Sequence, residues 1–141
     1  MSPPHIDGIL ETAVYVDDME AAHGFYGGIL GLKAMVSGER LTAYDAGPAQ
    51  TLLVFRRGLT SEDSVAEGGV VPGHHSDGPA HFAFHIKAEQ VGAWRSHLAQ
   101  NGVTITSEVT WPAGGKSLYF NDPAGNVLEL ACAPLWPNFH E

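Results

Sequence analysis

The sequence predicts an α+β fold in which one motif, a strand, a helix and three further strands, is used twice. Three observations carry that prediction. Apolar alternation followed by helical spacing in the first half of the chain restarts at Ala80. A glycine closes the helix in each half, Gly31 in one and Gly102 in the other. The chain then ends on a hairpin over Leu118–Cys132, whose turn, Asn121-Asp122-Pro123-Ala124-Gly125-Asn126, combines a fixed φ, a permitted positive φ and side chains that bond their own backbone. The expected layout is one domain over residues 1–141. Its first module covers about 7–58 and its second about 79–133, joined by a polar connection over 59–78.

In order, residues 1–7 read as a lead-in, and Ile9–Val16 as a strand with Glu11, Ala13 and Tyr15 on one face and Thr12, Val14 and Val16 on the other. Asp17 with Glu20 resembles a capping box and starts a helix. Met19, Ala22, Tyr26, Ile29 and Leu30 form its apolar stripe, widened by Phe25, while Gly27-Gly28 weakens the last turn. Strands follow at Lys33–Val36, Leu41–Ala46 and Thr51–Arg57, separated by turn residues. The glycine- and proline-rich connection after Leu59 reads as a linker or a lid. The second module has a strand at Ala80–Ile86, a helix at Glu89–Gln100 carrying Val91, Trp94 and Leu98, a strand at Val103–Ser107, and the hairpin.

Composition narrows the function. A chain of 141 residues can build one core, and its net charge of −9 with no basic patch argues against nucleic acid and anionic membranes. No apolar run reaches the length of a membrane span. The N-terminal residues lack the pattern of a signal peptide, and the one cysteine, Cys132, sits in a strand pattern. A reducing, cytoplasmic setting is the expectation.

Glu129 is the anomaly. It stands inside Val127-Leu128-Glu129-Leu130-Ala131-Cys132, a run that otherwise reads as a buried strand. An unpaired charge there is costly, so a cation, a donor network or a metal must accompany it. The internal repeat supplies candidates. Placing Glu11 over His81 aligns the two helices, and placing Leu53 over Glu129 lays Gln50–Leu53 over Asn126–Glu129. First- and last-strand positions are thus occupied by Glu11, Leu53, His81 and Glu129, three of which carry metal-binding side chains. If first and last strands converge, one imidazole and two carboxylates make a three-ligand site with open positions, the arrangement of a catalytic metal. Such donors suit Zn, Mn, Ni, Co or Fe. Taken singly, each residue has a plainer reading: an edge carboxylate for Glu11, a structural histidine for His81.

The stretches 11–32, 80–86 and 114–130, which read ETAVYVDDMEAAHGFYGGILGL, AHFAFHI and GGKSLYFNDPAGNVLEL, resemble the vicinal oxygen chelate superfamily of glyoxalases, bleomycin resistance proteins, extradiol dioxygenases and fosfomycin-resistance enzymes. The resemblance implies two βαβββ modules forming a curved, partly open mixed barrel around one divalent metal ion. It implies Glu11, His81 and Glu129 as ligands, and a homodimer, often with each site built from both protomers. Ring-cleaving and fosfomycin enzymes resemble His, His, Glu at these places, where this chain has Glu11 first. Glyoxalases carry a fourth ligand where this chain has Leu53.

The chemistry so implied is chelation of a small substrate through neighbouring oxygens, with Glu11 or Glu129 as general base. Ser117 and Tyr119 share a strand face and match substrate-facing positions. His85 lies four residues after His81 on the same face, and Tyr15 shares the Glu11 face. His74-His75 is a further ligand candidate or a solvated pair. Arg40, Arg56 and Arg57 are candidate anchors for an anion, and Trp111 and Trp136 candidate pocket walls. Leu135–Glu141 reads as a loose tail unless Trp136 and Phe139 dock on a partner. The leading expectation is a metal-dependent lyase, isomerase or group-transfer enzyme. The alternatives are a non-catalytic drug- or metabolite-binding protein and an iron-dependent ring-cleaving dioxygenase.

Overall fold

A computed structural model describes residues 2–139 and shows the motif twice. The first half contains β1 (Glu11–Val16), α1 (Met19–His23), β2 (Lys33–Ser37), β3 (Leu41–Asp45) and β4 (Thr51–Arg56). A small hairpin of β5 (Ser64–Ala66) and β6 (Gly69–Val71) occupies the connection. The second half contains β7 (His81–His85), α2 (Val91–Gln100), β8 (Ser107–Thr110), β9 (Lys116–Asn121) and β10 (Val127–Ala131). Two four-stranded sheets result, in the orders β1-β4-β3-β2 and β7-β10-β9-β8. In each, the first strand runs parallel to the last, and the remaining pairs are antiparallel.

The register reproduces the repeat. Glu11 lies opposite Thr51 and Ala13 opposite Leu53, while His81 lies opposite Val127 and Ala83 opposite Glu129. Glu11 and His81 are therefore equivalent, as are Leu53 and Glu129. Alternation gives each sheet two unlike faces. Val14, Val16, Tyr44, Leu52 and Val54 of the first sheet, and Leu118, Phe120, Leu128 and Leu130 of the second, join one buried core with Tyr26 and Leu98. The opposite faces carry Glu11, Ala13 and Leu53 in one half and His81, Tyr119 and Glu129 in the other.

Several elements depart from the sequence expectation. Asp18, not Asp17, caps α1 and accepts a bond from the Ala21 amide at 3.0 Å. Asp17 is drawn aside by the Arg57 guanidinium at 2.9 Å. The helix then widens into a π turn over Gly24–Ile29, with the Leu30 amide bonded to the Phe25 carbonyl, before Gly31 stops it at φ 72°. The Gly27-Gly28 pair sits in this widened turn, consistent with its weak helix propensity. The strand expected at Val103–Ser107 forms at Ser107–Thr110 instead. The Val103 amide is taken by the last turn of α2 through the Leu98 carbonyl, and Val103 and Ile105 pack on the core without joining the ladder. The connection is neither free nor structureless: beyond the β5–β6 hairpin, His74 docks on β1 and β4. Leu135–Phe139 is folded back on the second sheet rather than loose, while His140 and Glu141 lie outside the described residues. Among the described residues no helix is long and apolar enough to cross a membrane.

Candidate functional site

The open face of the second sheet carries a cavity of about 670 Å³. Antiparallel pairing places Tyr119 opposite Glu129 and Ser117 opposite Ala131, and parallel pairing brings β7 alongside. Glu129, Tyr119, Ser117, His81 and His85 therefore share one face.

Glu129 is buried, and both its carboxylate oxygens have partners. The Ser117 hydroxyl donates to Oε2, and His81 Nε2 lies 3.3 Å from Oε1. Ser117 is itself fully buried and accepts a bond from the Trp111 indole N–H at 2.8 Å. Its one donor is thus committed to Glu129. His81 Nδ1 meets the Val127 carbonyl at 2.9 Å. A carbonyl only accepts, so Nδ1 carries the hydrogen. A neutral His81 then turns a bare lone pair at Nε2 towards a carboxylate oxygen, and two acceptors that close call for a cation between them, either a proton or a metal ion. An outward Nε2 fixed by an Nδ1–H bond to a backbone carbonyl is the arrangement metal-ligating histidines adopt. The Tyr119 ring stacks beside His81 at 6.2 Å, and its phenol is held above the ordinary value by burial and then by the negative charge of Glu129. It stays protonated and able to donate.

The other wall of the cavity is apolar. Phe84, Trp111, Leu135, Trp136 and Phe139 line it, and Phe139 meets the His85 ring edge-on at 4.5 Å. Gly115 makes this closure possible. Its amide bonds the Pro134 carbonyl at 2.9 Å, and a Cβ there would collide with the carbonyls of Cys132 and Pro134.

The remaining candidates lie elsewhere. Glu11 is exposed on the open face of the first sheet. Among the described residues no three His, Cys, Asp or Glu side chains come together to hold a metal. First and last strands do meet, but within each half, so Glu11 neighbours Thr51 rather than His81. The Tyr15 hydroxyl is bonded to His74 Nδ1 and its ring stacks on Phe55 at 5.8 Å, away from the Glu129 cavity. His75 pairs with Asp77 at 2.6 Å. Arg57 ties Asp17 to the Tyr15 and Ser76 carbonyls, Arg56 faces Glu39 and Arg40 faces Ser64. None of these arginines lines the cavity. Trp111 and Trp136 do line the cavity, as the sequence suggested; the Trp111 bond to Ser117 and the folding back of the tail on its own chain are the additions the sequence reading missed. The signal for them was present in the aromatic residues of a proline-rich tail and in the Gly114-Gly115 pair.

The model of the Glyoxalase/Bleomycin resistance protein/Dioxygenase superfamily matches residues 8–130. The chain belongs to this superfamily. Among solved superfamily structures, a lactoylglutathione lyase from Agrobacterium tumefaciens is 31% identical, with a TM-score of 0.85 over 96% of this chain and 99% of that one. A glyoxalase/dioxygenase from Nostoc punctiforme is 23% identical, with a TM-score of 0.69 over 96% of this chain and 97% of that one. A genomically encoded fosfomycin resistance protein from Listeria monocytogenes is 19% identical, with a TM-score of 0.67 over 93% and 97%. These last two share the superfamily's fold with this chain, and superfamily folds of this kind host many chemistries.

Proposed function

We propose that this superfamily member is a metal-dependent enzyme acting on a small substrate held through two neighbouring oxygens, as a lyase, isomerase or group-transfer catalyst. The observation that carries this reading is the His81–Glu129 pair, whose facing acceptors and fixed imidazole tautomer fit one divalent ion. A third ligand is Glu11 of a second copy. Glu11 holds the position on the first sheet that His81 holds on the second, and its sheet face is open. Packing the first-half face of one chain on the second-half face of another, about a two-fold axis, brings Glu11 to His81 and Glu129 and makes two equivalent sites per homodimer.

The donor set of one imidazole and two carboxylates suits Zn, Mn, Ni, Co or Fe. A bound divalent ion supplies Lewis-acid polarisation of the substrate oxygens. The chain's own residues do the rest. Tyr119 donates a hydrogen bond from its protonated phenol to a substrate oxygen. Glu129 or Glu11 takes a proton from the carbon beside the polarised oxygen. Ser117 and Trp111 hold the Glu129 carboxylate in one orientation, and the aromatic wall keeps water from the reacting centre.

Metal analysis of purified protein tests the reading. Wild type holds one divalent ion per chain, and Glu11→Ala, His81→Ala and Glu129→Ala lose it. Mixing unfolded Glu11→Ala and Glu129→Ala chains and refolding them together restores one intact site in each mixed dimer. A wild type that stays metal-free after loading would sink the enzyme reading in favour of a binding protein. Failure of the mixture to regain metal would sink the shared site.

A further inference from the structure

The wall opposite His81 and Glu129 constrains what the cavity can take. Trp111, Trp136 and Phe139 present aromatic surface, with Phe84 and Leu135 between them, and Trp136 is 66% exposed. An exposed tryptophan beside a cavity is surface that a ligand can cover. Among the described residues no lysine or arginine lines the cavity, and the arginines of the first half are tied to Asp17, Glu39 and Ser64. The charge that is present is the carboxylate of Glu129, within a chain of net charge −9. A carboxylate or phosphonate on a ligand would be desolvated there without a partner. Glu129 and a second carboxylate offset the charge of a bound divalent ion, so it holds a further anion only weakly. At about 670 Å³ the space matches sites for ring-bearing small molecules.

We propose that the cavity takes a substrate without anionic groups, whose aromatic or flat apolar ring lies against Trp111, Trp136 and Phe139 while its two neighbouring oxygens face His81 and Glu129. This rests on the reading of that cavity as the substrate site. It separates this chain from any relative whose substrate carries anionic groups, such as a glutathione conjugate.

Three small probes isolate the two features. Methyl mandelate has a ring, neighbouring oxygens and no charge. Mandelate adds the charge, and methyl lactate removes the ring. Titrated into the protein as purified and followed by tryptophan fluorescence, methyl mandelate quenches saturably. Mandelate and methyl lactate each bind at least about tenfold more weakly. Trp136→Ala weakens methyl mandelate by about tenfold, with Trp111 still reporting. Mandelate binding as tightly as its ester, methyl lactate binding as tightly as methyl mandelate, or no saturable quenching by the ester would each overturn the proposal. Metal content of the same samples keeps the two readings apart. Ester binding by metal-free protein upholds the ring pocket while the enzyme reading falls. Metal-replete protein that prefers mandelate upholds the metal site and overturns the ring pocket.

Discussion

Glu129 lies on a strand whose opposite face, Leu128 and Leu130, is core; its Oε2 accepts from Ser117, and its Oε1 faces His81 Nε2 at 3.3 Å. The hydroxyl of Ser117 is the link most easily removed. Ser117→Ala leaves Glu129 Oε2 and the Trp111 indole N–H without their bonds. Stability should fall by about 1–3 kcal/mol in urea melts. Metal affinity, measured by chelator competition, should fall by about tenfold or more because the carboxylate is no longer oriented. Ser117 and Tyr119 differ in what they offer a ligand. The Ser117 hydroxyl spends its one donor on Glu129, whereas the Tyr119 phenol stays protonated at the edge of the cavity. Tyr119→Phe should therefore leave metal content unchanged and lower turnover of whatever substrate is found.

Between elements, the turn from β9 to β10 ties the halves together. Asp122 accepts bonds from the Tyr26 hydroxyl at 2.7 Å, from the Ala124 and Asn126 amides, and from the Asn126 side chain. Asn126 in turn accepts from the Ala80 amide ahead of β7 and donates to the Tyr15 carbonyl of β1. Asn126→Ala strands the Ala80 amide and leaves the Tyr15 carbonyl to Arg57 alone, and about 1–3 kcal/mol of stability should be lost in denaturant titration. Tyr26 adds a pH dependence. Burial, reinforced by the charge of Asp122, drives its phenol far above its ordinary value. A raised folded-state value means that the stability is present below the unfolded value of about 10 and is lost as pH rises through and beyond it. Thermal melts should fall steeply above that pH, and Tyr26→Phe should flatten the fall.

For the whole molecule, the unlike faces of the two sheets bear on the proposed shared site. The face holding Glu11, Ala13 and Leu53 also carries Ala43 and Phe55, with Lys33, Asp45 and Thr51 towards one end, and in the proposed assembly it meets the site of a second copy. Leu53→Lys places a charge in the middle of that face without touching the core. The proposed dimer predicts that wild type sediments as two chains and Leu53→Lys as one, with the melting transition of the monomer kept and metal lost. Unchanged dimer in Leu53→Lys would place the contact elsewhere.

Most of the strands, both helices, the repeat and its register were legible in the sequence because they depend on alternation, helical spacing and turn residues close along the chain. Glu129 stood out for the same reason, a charge among apolar neighbours. The misplaced eighth strand and the Asp18 cap show the limit: both were decided by partners, the Leu98 carbonyl and Arg57, that short-range pattern does not reveal. The sequence by itself determined a doubled βαβββ fold and marked Glu129 as a charge that needs a partner. Tertiary structure alone decided that His81 and Glu129 meet while Glu11 stays apart, that Ser117 serves Glu129, and that the tail walls the cavity. Each of those rests on contacts between residues distant in the chain, whose geometry exists only once the sheets have packed.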